Sequence, residues 1–307
     1  MGLWGLCNII AIIRKKQAVW GCAEERNEQP LKTKLILIEG IPGSGKSTFA
    51  RRVADFYTEF GLKTKLYNEG EFHPADLAWN ACIPVEILDS ILTPYENLRD
   101  EIDKHTHIEN EYAVISYTQI KTDNKTFFKE MESYEVYDNR VPFEVFNALH
   151  LKRWRLFCRQ AKQTDELTVF ECAFLQNHVS ELMLFQLAEI ETMKRHFAAL
   201  VQTVLPLSPV LIYLSQPNVR ETVERVAKQR IFEHGTWIDG FIHYMENTPY
   251  GKLHRINGFD NTIQCLEKRK SAELEIIKSL PIHTIVLENP DYDWEILWKN
   301  LENKLPG

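Results

Sequence analysis

The stretch Leu35–Ala50, LILIEGIPGSGKSTFA, constrains the fold more than any other part of the chain. A short apolar run, Leu35–Ile38, ends in Glu39. The next eight residues, Gly40-Ile41-Pro42-Gly43-Ser44-Gly45-Lys46-Ser47, satisfy G-x-x-x-x-G-K-[ST] at every fixed position. The pattern then turns helical, with Phe49 and Val53 apolar and Arg51 and Arg52 free to face solvent. A strand, a tight turn and a helix start aim several backbone N–H groups at one point, where the helix N-terminus adds partial positive charge. Side chains would block an anion there, so Gly40, Gly43 and Gly45 keep the turn open. Lys46 has the reach for β- and γ-phosphates, and the Ser47 hydroxyl is a hard oxygen ligand for Mg²⁺. Gly40, Gly43, Ser44, Gly45, Lys46, Ser47 and Thr48 are therefore expected to bind a nucleotide, with ATP and Mg²⁺ as cofactors.

At 307 residues, 44% of them hydrophobic, the chain can bury a sizeable core. A net charge of −7 argues against a protein that coats nucleic acid. Six scattered cysteines form no C-x-x-C pair, so they read as reduced thiols of an intracellular, cytoplasmic chain and offer no zinc site. Residues 1–30 read as a flexible N-terminal extension. The apolar run Leu3–Ile13 is too short to span a bilayer, and its basic residues follow it instead of preceding it. Residues 31–307 then form the main domain, and no membrane partner is expected.

After the first helix, Lys63–Tyr67 alternates as a second strand and runs into Asn68–Pro74. Ligands in open α/β sheets sit at the carboxyl ends of strands, so Glu69 and Glu71 are candidate carboxylates there, whereas His73 before Pro74 reads as a turn residue. Residues 75–165 form a long, mostly helical insertion on the acceptor side, with strand-like composition at Tyr112–Ile120. It has weak helical character at Asp76–Asn80 and a strong helix at Pro142–Ala161 whose basic stripe includes Lys152 and Arg153. Leu167–Phe170 is a third strand ending in Glu171, a Walker-B arrangement in which the carboxylate holds Mg²⁺ beside Ser47. Gln176 and Asn177 follow as contacts for a base or sugar. Val179–Leu205 reads as one long amphipathic helix with Met183, Leu187 and Ile190 on one side. Pro209–Leu214 is a buried strand, followed by a helix carrying Arg220, Arg225, Lys228 and Arg230, with residues 220–260 as a lid region. Ile282–Leu287 is the last strand. Five strands joined by long crossovers predict a three-layer α/β/α P-loop fold: a mostly parallel five-stranded sheet with a long helical insertion.

Three segments, GIPGSGKST at Gly40–Thr48, VFECAFLQN at Val169–Asn177 and LIYLSQPNVRETVERVAKQR at Leu211–Arg230, resemble the thymidylate kinase and deoxynucleoside kinase group of P-loop kinases. The resemblance implies strand order 2-3-1-4-5. It implies the acidic strand-tip role for Glu171, lid arginines at Arg225 and Arg230, and a catalytic carboxylate at Glu69. Lys46 completes the expected catalytic set, and Ser47 with Glu171 the metal ligands. Cys172 stands where the group usually carries Arg, and the insertion is longer than in typical members. The expected activity is phosphoryl transfer from ATP to a small-molecule acceptor, most naturally a nucleoside or nucleotide. Another metabolite or an antibiotic stays open as acceptor, as does a regulatory ATPase without one, and so does a homodimer.

Overall fold

The computed structural model describes residues 32–232 and 235–302, so the extension 1–30 lies outside the described residues. Chain order begins β1 (Leu35–Gly40), α1 (Lys46–Glu59), β2 (Lys63–Tyr67). The insertion then adds β3 (Ala81–Pro84), α2 (Val85–Leu92), α3 (Arg99–Lys104), β4 (Thr106–Glu109), β5 (Tyr112–Ile115), α4 (Lys125–Glu132) and α5 (Phe143–Ala161). β6 (Glu166–Glu171), α6 (Gln176–Val179), α7 (Ile190–Val204), β7 (Val210–Ser215) and α8 (Val219–Gln229) follow. The chain continues through β8 (Ile231–Phe232), β9 (Gly235–Thr236), α9 (Trp237–Asn247), α10 (Pro249–Leu253), α11 (Gly258–Ser279), β10 (His283–Glu288) and α12 (Trp294–Glu302).

The main sheet has the order β2-β6-β1-β7-β10, parallel at every pairing, which is the strand order that the sequence resemblance implies. Strand composition follows position. Every residue of β1 and of β7 is buried, as an apolar strand covered on both faces should be. At one edge, β2 (KTKLY) buries no residue fully and leaves Lys63 and Lys65 exposed, a charged edge that resists further pairing. β10 alternates at the other edge. On one face, Trp154 of α5, Phe174 and Phe197 of α7 stack edge to face above Phe170 of β6. No described helix is long and apolar enough to cross a membrane.

The insertion is not purely helical. β3, β5 and β4 form a small antiparallel sheet whose inner face packs on Leu92, Ile102, Phe127 and Met131. The polar segment before Tyr112 pairs as β4 because Asn110, at φ 57°, makes the tight turn into β5. Asp76–Asn80 is a turn, not a helix. The His73 ring accepts the N–H groups of Ala75 and Asp76, and the Asp76 carboxylate accepts those of Leu77 and Ala78, so side chains satisfy what a helix would have paired. Val179–Leu205 is also broken. Ser180–Phe185 is a π-helical turn, and Leu187 sits at φ 51° and is exposed. The π turn's extra residue shifts the register, so Leu187 leaves the apolar side, while Met183 stays in one core cluster with Met193 and Phe197, against which Ile190 packs. Of the basic stripe on α5, Lys152 and Arg153 pair with the buried Glu109 of β4 at 2.9 and 3.5 Å, which ties the small sheet to α5 within the insertion.

Candidate active site

The apolar run of β1 delivers the chain to Gly40 at the carboxyl end of the sheet, and α1 begins at Lys46. Two of the loop glycines are fixed by space as well as by backbone. Gly43 has φ 85°, and a Cβ there would lie 2.3 Å from Val226 Cγ2 of α8. Gly45 has φ 89°, and its Cβ would lie 2.3 Å from Cη2 of Trp294. The loop is thus held on its outer side by α8 and by the segment leading into α12. The Tyr292 hydroxyl donates to the Gly43 carbonyl at 2.6 Å.

A cavity of about 550 Å³ opens from this loop, large enough for a nucleotide. Gly43, Gly45, Lys46, Ser47 and Thr48 line it; Gly40 and Ser44 do not, Ser44 being fully buried beneath the loop. Lys46 is folded back, its ammonium donating to the Ile41 carbonyl at 3.1 Å.

The strand tips converge as adjacent parallel strands require. β6 lies beside β1, which sets Glu171 against the start of α1, and the Ser47 hydroxyl donates to Glu171 Oε1 at 2.5 Å. β2 lies on the far side of β6, so Glu69 follows next to Glu171; the Glu69 N–H reaches Glu171 Oε2 at 3.4 Å. Gln176 donates from Nε2 to Glu69 Oε1 at 2.5 Å. Glu71 does not join this group, because its carboxylate closes its own turn onto Asn68. Cys172 is buried in left-handed backbone at φ 65°, with its thiol 3.5 Å from Glu69 Oε2. Burial pushes that thiol well above its ordinary pKa, so it is a neutral neighbour of the two carboxylates.

The two arginines expected in the lid part company. α8 ends at Gln229, and Arg230, no longer helical, lines the cavity 5.7 Å from the centre of the Trp237 ring. Arg225 lies instead over the Tyr292 ring at 4.0 Å. Asn177 sits within α6, lines the cavity and donates to Asp76 Oδ2 at 2.7 Å.

Four further residues shape the site and escaped the sequence reading. Glu39, completely buried at the end of β1, accepts the N–H groups of Phe174 and Gln176 at 2.8 and 3.1 Å and so fixes the turn that carries Gln176. Burial raises its pKa to about 7, against the lowering by those N–H groups and by Lys46. Arg269 of α11, ion-paired with buried Glu273 at 2.8 Å, donates to the Gln176 carbonyl at 3.1 Å. Tyr292 and Trp294 complete the wall next to the loop. A charged residue ending an apolar strand was the one available signal for Glu39.

The oxygen pair at Ser47 and Glu171 and the glycine loop suit Mg²⁺ and a polyphosphate: both metal donors are hard oxygens, and the loop admits no Cβ at two positions. A second cavity of about 330 Å³ adjoins the first and shares Asn177, Ser180 and Tyr244 with it. Its charged lining is Glu132, Glu135, Asp138 and Glu181 with a single cation, Arg140, which lies 3.5 Å from Asp138.

No protein-family model matches the chain, and no curated protein matches it. Among solved structures it is similar to a thymidylate kinase from Candida albicans, at 14% identity and a TM-score of 0.36 over 89% of this chain and 92% of that one. It is similar to a thymidylate kinase from Ehrlichia chaffeensis, at 11% identity and 0.35 over 89% and 97%. It is also similar to a deoxyadenosine kinase from M. mycoides with bound dATP, at 14% identity and 0.38 over 88% and 98%. No residue's role follows from likenesses this distant.

Proposed function

We propose that the chain is an ATP-dependent phosphotransferase whose acceptor is a small hydroxyl-bearing molecule of nucleoside type. The observation that carries this reading is the placement of a second carboxylate, Glu69, beside the Ser47–Glu171 pair in the cavity that opens from the P-loop. A nucleotide switch needs the loop and the metal ligands; a kinase also needs a group that takes a proton from its acceptor.

The loop N–H groups and the N-terminus of α1 would hold the donor phosphates. Lys46 would leave the Ile41 carbonyl and turn to the β- and γ-phosphates. Ser47 and Glu171 would hold Mg²⁺, which supplies neutralisation of charge on the phosphate oxygens. Glu69, oriented by Gln176, would accept the proton of the acceptor hydroxyl as its oxygen attacks the γ-phosphorus in line and the bond from that phosphorus to the β-phosphate oxygen breaks, releasing ADP. Arg230 would face the transferring group, while Arg225 holds Tyr292 against the loop.

The adjoining cavity favours a nucleoside over a nucleotide as acceptor. A phosphate dianion there would face four carboxylates and one arginine already beside Asp138. The same lining would accept an amine-bearing metabolite or antibiotic. The test is mass spectrometry of products from ATP and a panel of nucleosides, nucleotides and aminated hydroxyl compounds. A phosphorylated nucleoside or aminated compound is expected. ATP turnover equal with and without every acceptor would replace this reading with a regulatory ATPase.

A further inference from the structure

Between the insertion and the main domain lies a buried string of side chains that phosphoryl transfer does not use. Its hydrogen bonds run in one direction. The Asn147 amide oxygen only accepts, so His196 donates to it from Nδ1 at 3.0 Å. His196 Nε2 then accepts from Nδ1–H of His178 at 2.9 Å. That leaves the lone pair on His178 Nε2, a completely buried atom with no hydrogen-bond partner among the described residues. His150 repeats the pattern: its Nδ1–H donates to the Phe146 carbonyl at 2.9 Å, leaving the lone pair on Nε2. His150 Nε2 lies 3.7 Å from Asp76 Oδ1 and 3.1 Å from the Tyr137 hydroxyl, which also bonds Asp76. One ligand atom from each of Asp76, His150 and His178 lies within 4.8 Å of the other two.

We propose that Asp76, His150 and His178 bind one structural Zn²⁺, with the Tyr137 hydroxyl at the fourth position. Ligand atoms about 2.0–2.1 Å from a tetrahedral zinc stand roughly 3.4 Å apart, so small movements of the side-chain ends complete the site. Two imidazoles and a carboxylate select zinc over the oxygen-seeking Mg²⁺ and Ca²⁺. The second ring nitrogens are already committed, to a carbonyl and to His196–Asn147, which is the outer shell that orients ligating histidines. The ion would join the insertion, through Asp76, Tyr137 and His150, to α6 of the main domain through His178. Asn177, bonded to Asp76 and lining the P-loop cavity, would be held with it.

The experiment is zinc titration of the chelator-stripped full chain, with metal analysis after gel filtration and thermal unfolding in parallel. One zinc per chain and a melting temperature raised by several degrees are expected. Co²⁺ should give the visible bands of a tetrahedral site without thiolate charge transfer. His178→Gln and His150→Gln should each abolish uptake and Cys172→Ser should preserve it. The cobalt spectrum of the unaltered chain decides the matter even if a histidine variant does not fold. No stoichiometric uptake with an unchanged melting temperature would overturn the proposal and leave a metal-free network in which Asp76 pairs with His150. Uptake that survives His178→Gln but is lost in Cys172→Ser would also overturn it, placing the metal with Glu69, Glu171 and Cys172 instead.

Discussion

The Ser47 hydroxyl donates to Glu171 Oε1 at 2.5 Å across 124 residues of sequence. The contact exists because β6 pairs directly with β1, so two strand tips end side by side. Glu69 joins them one strand further out. In the proposed reaction the two carboxylates have separable tasks. Glu171→Gln should weaken Mg²⁺ dependence and lower turnover with every acceptor. Glu69→Gln should keep ATP·Mg²⁺ affinity while kcat falls by roughly 10²–10⁴-fold, the usual range for general-base help. Calorimetric titration with ATP·Mg²⁺ and steady-state kinetics distinguish them; reversed phenotypes would exchange the roles.

Lys46→Ala should leave the melting temperature close to that of the parent, since the ammonium bonds the Ile41 carbonyl of its own loop. Transfer should drop by roughly 10²–10³-fold, as when a preorganised donor to developing charge is removed. Full activity in a folded Lys46→Ala preparation would refute the phosphotransfer reading.

Arg230 lines the cavity and Arg225 stacks on Tyr292, which separates two residues that look equivalent in sequence. Arg230→Ala should reduce kcat at least ~10-fold, toward the range known for arginines on a transferring phosphoryl group. Arg225→Ala should mainly raise the KM for ATP, because it loosens the Tyr292 contact with the loop. Initial rates across ATP concentration read both effects, and an unchanged kcat in Arg230→Ala would return Arg230 to a surface role.

Glu39 makes stability depend on pH. Its folded pKa of about 7 exceeds the ordinary value of 4.5, so the unfolded chain loses this proton first as pH rises. Between those two values the folded state binds more protons, and stability falls with increasing pH, by on the order of 3 kcal/mol in total. Below the lower value the group contributes no slope, and above the upper one the loss is complete. Glu39→Gln keeps a carbonyl to accept one N–H but cannot ionise. Urea unfolding from pH 5 to pH 8 should show the variant gaining on the parent across that window. A difference independent of pH would mean that Glu39 does not titrate there.

What could be read from sequence was whatever the chain encodes locally. The loop Gly40–Ser47 and the carboxylates at the ends of apolar or alternating strands are patterns of consecutive residues. The strand order followed from the resemblance those segments carry. What could not be read depends on distant partners. Trp294 looks like a core aromatic of a terminal helix until it is seen against Gly45. Arg269 looks like one charge among many on α11 until Glu273 and the Gln176 carbonyl are found around it. β4 was hidden because three of its four residues are polar and its pairing depends on one left-handed asparagine. The break after Val179 was hidden because a π turn disturbs the very periodicity from which a helix is read.

The cover that Tyr292 and Trp294 place on the loop also sets an order of events during synthesis. The hydroxyl of Tyr292 and the carbonyl of Gly43 are 249 residues apart, so the loop leaves the ribosome long before its cover exists. A nascent chain lacking Asn289–Trp294 has Gly45 open to solvent and Arg225 without its aromatic seat. Contacts of such long sequence separation close late in folding. Nucleotide capture would then be a late property of the growing polypeptide, acquired as the last strand docks on β7.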